Sequence, residues 1–155
     1  RLEGATSVLL RYPWLGVHVA ATLLGNVGFA LAFASATIYL AQGRLLKQGR
    51  LNSLLPALDT AASATYRFAA VGFAFFTLGL GMGILWLFGA PGEYLARGDI
   101  KIWMAVPSWV LFATYLYLRG LRGSHGSRLK WLIIAGFLTA AANLLVVRHS
   151  FVDGP

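Results

Sequence analysis

FAAVGFAFFTLGLGMGILWLFGA, residues 68–90, contains no ionisable side chain. A helix needs about 20 mainly apolar residues to cross a hydrocarbon core of about 30 Å. This stretch is long enough, and in lipid its backbone can satisfy its own polar groups only as a helix or in a closed barrel. Three further stretches share its character. Residues 14–42 hold one ionisable group, His18; residues 102–118 are shorter, with Pro107 near the start; residues 131–147 are also short. The reading is an all-α integral membrane protein, a bundle of four transmembrane helices forming one membrane domain over residues 1–155.

Composition supports this reading. Apolar residues make up 58% of the 155 residues and charged residues 12%, with a mean hydropathy of +0.70. A soluble domain is about 45–50% apolar and about 25% charged, and a small one cannot bury this much apolar surface. The same values exclude a disordered chain. The absence of cysteine excludes disulfides, thiolate zinc sites, iron–sulfur clusters and thiol nucleophiles. The sequence opens on Arg1 without a signal-peptide pattern, so an upstream segment is expected.

The net charge of +8 would suggest nucleic acid in a soluble protein. Here it sets orientation, and no nucleic acid is expected. The connections between spans one and two and between spans three and four hold eight Lys and Arg (Arg44, Lys47, Arg50, Arg67, Arg119, Arg122, Arg128, Lys130) and one acid, Asp59. The opposite face holds five, with four acids. Cytoplasmic loops carry the Lys/Arg excess. Both termini and the Pro91–Lys101 loop are therefore expected outside, in a bacterial inner membrane. Leu51, Leu54, Leu55 and Leu58 recur at helical spacing, which gives either a short interfacial helix over about 51–63 or a first turn extending the second span. Gly120–Gly126 reads as a turn.

Few side chains can carry chemistry. No span contains Asp or Glu, which weakens a proton- or ion-pathway reading. Gly79, Gly81 and Gly83 give a small-residue surface for close approach of a helix or a flat ligand. His125 lies in the basic inner turn. His18, near the outer end of the first span, and His149, just past the fourth, fall at the same membrane face. Two histidines at one depth could ligate haem on both faces, or could be interfacial side chains bonded to water or lipid. Thr22, Gly25 and Asn26 share the His18 face, and Asn143 reads as an interhelical hydrogen-bonding residue. Five tryptophans, Trp14, Trp86, Trp103, Trp109 and Trp131, lie mostly near span ends as an aromatic belt. Trp103 and Trp109 could also pack against a haem edge.

The ordered series of these residues resembles the membrane cytochrome c assembly family, haem-handling proteins of the CcsA/HemX type. Trp14-Leu-Gly-Val-His18-Val, Gly25 and residues 29–33 resemble the helix that opens that family's core. Leu55-Pro-Ala-Leu-Asp59, Tyr66-Arg67, residues 71–73 and 77–79 follow its second helix. Residues 109–119 resemble the helix after its haem loop. Gly136-Phe137, Asn143-Leu-Leu145 and His149-Ser150 resemble its last helix. The resemblance implies haem ligation by His18 and His149 and a role in cytochrome c maturation or haem supply, beside a larger membrane complex or a c-type cytochrome. The outer loop departs from the family: it keeps Tyr94, Asp99, Lys101 and Trp103 but lacks the neighbouring tryptophans. The expected cofactor is haem b, and the chain is not expected to be an enzyme. The alternatives are a cytochrome b-like electron-transfer subunit of a respiratory complex and a haem-free scaffold.

Overall fold

The structure, a computed structural model, describes residues 13–50, 56–88, 92–124 and 126–152, without the side chains of 13, 15, 86, 87, 92–102 and 146–152. Among the described residues four helices follow one another: α1 (Pro13–Lys47), α2 (Leu58–Phe88), α3 (Gly92–Leu116) and α4 (Ser127–Val152). A π-helical turn, Tyr117–Leu121, prolongs α3. Each helix packs against the one before and the one after, and α4 closes back on α1. Gly16–Lys47, Leu58–Leu85 and Ser127–Leu145 are long and apolar enough to cross a membrane. The fourth expected span, in α3, has charged residues through its first turns, and its apolar part is correspondingly short.

Local sequence explains most helix ends, and several differ from the expected boundaries. α1 starts on a proline, whose fixed φ and missing N–H suit the first helical position. It runs on to Lys47 rather than stopping near 42, because Arg44 and Lys47 in the last turn complement the helix dipole. Gly49, at φ 69°, then closes the helix: its N–H donates to the Leu46 carbonyl and that of Arg50 to the Leu45 carbonyl, both at 3.0 Å. Residues 58–63 are the first turns of α2, started by Asp59, so the turn-extension alternative holds there; Leu51, Leu54 and Leu55 lie outside the described residues. The expected outer loop is helical from Gly92 onwards. Glu93, Ala96 and Arg97 are good helix formers, so the charged residues here end the apolar run without ending the helix. The inner turn is also shorter than expected: the π turn runs through Leu121, Gly123 takes φ 62°, and Ser124 N–H donates to the Leu118 carbonyl at 2.9 Å. His125 lies outside the described residues.

The α1–α2 pair is a zipper of small residues. A Cβ on Gly28 would stand 2.5 Å from Gly72 Cα, one on Gly25 2.7 Å from Phe76 N, and one on Gly79 2.6 Å from Thr22 Oγ1. Backbone meets backbone there, as small-residue interfaces between membrane helices allow. The rest of the core sets aromatic rings among alanines such as Ala32, Ala36, Ala105 and Ala140. Phe29 stacks on Phe112 of α3 at 3.6 Å between centroids and tilts against Phe76 at 5.1 Å. Phe33 stacks on Phe137 of α4 at 4.6 Å.

Candidate functional site

The glycine zipper leads directly to His18. Its ring lies over the α2 glycines, where a Cβ on Gly83 would come within 3.0 Å of Cε1. Nδ1 lies 2.7 Å from the carbonyl oxygen of Gly79. A carbonyl only accepts, so Nδ1 carries a proton, and in the neutral ring Nε2 keeps its lone pair. Nε2 has no hydrogen-bond partner among the described residues. A histidine that donates one ring N–H to a carbonyl, fixing tautomer and ring orientation, has the arrangement of a metal ligand.

The side chains below His18 brace α1. Thr22 Oγ1 donates to the His18 carbonyl at 2.7 Å, and Asn26 Nδ2 donates to the Thr22 carbonyl at 2.8 Å. Neither reaches across to another helix with these bonds. Gly79 and Gly83 face α1, whereas Gly81 faces open space.

His149 lies in α4, which continues to Val152; its side chain is outside the described residues. The register of α4 against α1 is set by Phe33 on Phe137 and by Lys130 over the Tyr39 ring. Counted residue by residue along antiparallel helices from these two contacts, His18 falls opposite about residue 152, roughly one turn beyond His149. Trp103 is 73% exposed. Trp109 turns inward onto α2: Nε1 donates to Thr77 Oγ1 at 3.0 Å, and the ring packs on Phe73 at 5.3 Å. Trp14 and Trp131 are exposed, as a belt requires. Trp86, Tyr94, Asp99 and Lys101 have side chains outside the description.

Two polar residues differ from their expected roles. Asn143 Oδ1 is buried without a hydrogen-bond partner among the described residues, so this oxygen makes no interhelical bond to them. The α3–α4 polar contact is made instead by Ser108 and Thr139, 2.9 Å apart. Thr139 donates its hydroxyl proton to the Gly136 carbonyl at 2.8 Å, so Ser108 donates to Thr139. Lys130, expected among the charges of the connection between spans three and four, is only 3% exposed. Nothing in its sequence neighbourhood, Leu129-Lys130-Trp131, marks it as buried; its aromatic surroundings come from α1 and α3.

Residues 3–152 match the family model described as cytochrome C assembly protein. The chain belongs to that family. It is similar to the cytochrome c biogenesis protein CcsA of Porphyra purpurea, with 30% identity over 79% of this chain and 37% of that protein. The CcsA of Picosynechococcus is 34% identical over 54% of this chain and 25% of its own length. That of Cyanidium caldarium is 27% identical over 92% and 56%. The chain thus spans about a quarter to just over half the length of these relatives. No solved structure matches.

Proposed function

We propose that this chain is a haem-handling membrane subunit of a cytochrome c maturation system, in which His18 ligates a b-type haem through Nε2 and His149 provides the second axial ligand. The observation that carries this reading is the 2.7 Å bond from His18 Nδ1 to the Gly79 carbonyl. The bond fixes the tautomer that ligation needs and holds the ring against the glycine surface. Family membership supports the cytochrome c role. The chain binds and orients; it is not an enzyme. Trp103 is the ring available to a ligand edge or to lipid, while Trp109 supports α2. A bound haem supplies a redox-active iron centre, and a c-type cytochrome or larger membrane complex is its partner. The His18 end faces outward from an inner membrane, with both termini on that side.

The test is an absorbance spectrum of the protein purified with its native partners. Low-spin, six-coordinate haem is expected. His18→Gly or His149→Gly converts it to high-spin haem or removes it, and added imidazole partly restores the low-spin form. His125→Gly changes nothing. Haem that survives both replacements, or no haem in the unmodified protein, overturns the assignment. An electron-transfer subunit is the second reading, favoured by the helix at Gly92–Lys101 where the family resemblance implies a presentation loop. Rapid reduction of the haem by quinol would select it.

A further inference from the structure

The opposite end of the bundle holds a second polar site. A partly open cavity of about 30 Å³ lies where α1, α2, the π turn and the first turn of α4 meet. Arg119, Lys130, Ser124, Gly126 and Tyr39 line it, and none of its lining residues is a carboxylate. Such a volume admits one or two water-sized oxygens.

Lys130 is the reason to expect an anion there. It is 3% exposed. Its ammonium contacts the Tyr115 hydroxyl at a long 3.5 Å and sits over the Tyr39 and Tyr115 rings at 4.8 and 5.6 Å. Two aromatic faces and one long neutral contact offset only part of the cost of burying a charge. Two further features favour negative charge. The α4 N-terminus begins beside Gly126, so the N–H groups of its first turn have no helical acceptor. The π turn places Arg119 in the wall. Arg122 and Arg128 are exposed around the same end, at the boundary of the apolar span Ser127–Leu145. A basic pocket between membrane helices at the headgroup level suits a phospholipid phosphate.

We propose that this cavity binds a phosphate group, with Lys130 as its central cation and the α4 N-terminus and Ser124 as hydrogen-bond donors. Two oxygens of the tetrahedral group enter the cavity and the remainder faces the headgroup layer. The site is independent of the haem reading.

The experiment is phosphorus NMR and native mass spectrometry of the purified protein, titrated separately with phosphatidylglycerol and with inorganic phosphate. Saturable binding of phosphatidylglycerol alone identifies a lipid headgroup as the source. Displacement of that lipid by inorganic phosphate identifies the phosphate group itself as sufficient. Lys130→Met weakens binding about tenfold or more, the value of one charge-assisted hydrogen bond. Lys130→Arg retains it, and Arg122→Gln, outside the cavity, changes it little. The proposal is overturned if the unmodified protein binds neither probe, a result that needs no variant to fold. It is also overturned if a folded Lys130→Met protein binds as tightly as the unmodified one, or if an uncharged glycolipid competes equally.

Discussion

The α1–α2 seam and the seams of α3 and α4 solve one packing problem in opposite ways. Gly25, Gly28, Gly72 and Gly79 let two backbones touch, and nothing there can yield. Across the other seams Phe112, Phe137 and Trp109 reach over with rings, backed by two hydroxyl contacts. Ring contacts can adjust by rotation; a backbone contact can only separate. The ring of His18, the proposed ligand, belongs to the rigid seam. Its hydrogen bond to Gly79 needs α2 at contact distance, so the glycines act on the placement of this ring as well as on stability.

The largest expected effect comes from putting bulk into the rigid seam. Gly72→Leu meets Gly28 and Gly25 backbone atoms at about 3.0 Å from its Cβ alone. Separating the helices is the only relief, and overpacking of this kind costs about 3 kcal/mol or more. Gly81→Leu, on the same helix, meets nothing within 4 Å and is expected to be tolerated. Thermal unfolding in detergent checks both. Equal loss in the two variants would show that glycine content, not contact, matters.

A smaller substitution sharpens the link to His18. Gly83→Ala places a methyl 3.0 Å from His18 Cε1. The ring must give by a few tenths of an ångström, and its bond to Gly79 lengthens. Stability is expected to fall by about 1 kcal/mol, while the His18 ring resonances in NMR shift clearly. Unchanged resonances would show that the ring does not rest on Gly83.

The fold was legible because its dominant signal, long uncharged runs, is a property of single segments. The Gly79–Gly83 surface was legible for the same reason: a repeat along one helix names one face. The partner of that face was not legible. That Gly83 meets His18 and Gly79 meets Thr22 depends on the register of two helices, which neither sequence states alone. Lys130 illustrates the limit most clearly. Its charge suggested solvent, but Tyr39 and Tyr115, distant in sequence, cover it. The helix at Gly92 is hidden in the sequence because its charged residues break the apolar run, although charged residues form helices readily beyond the apolar core.

In the adjustable seams, Phe112→Leu should cost about 1 to 2 kcal/mol, since Phe29 and Phe76 can close part of the space. A chemical unfolding curve measures it. A loss as large as that of Gly72→Leu would remove the contrast between the seams.

The smallest effect tests the hydroxyl contacts. Thr77 Oγ1 accepts the Trp109 indole N–H at 3.0 Å, and Thr77 is exposed on the face of α2 toward α3. Thr77→Val keeps the side-chain shape and removes the acceptor. In lipid an interhelical hydrogen bond is worth only about 0.6 kcal/mol on average, because the separated helices also find partners. Trp109 keeps its packing on Phe73, so the ring stays in place. The expected result is a loss of about 0.5 kcal/mol and a shift of the Trp109 indole N–H resonance. Trp109→Phe paired with Thr77→Val completes the cycle: the double variant should lose little more than Trp109→Phe alone. Additive losses would mean that the indole and the hydroxyl do not interact, and that ring packing by itself holds α3 to α2.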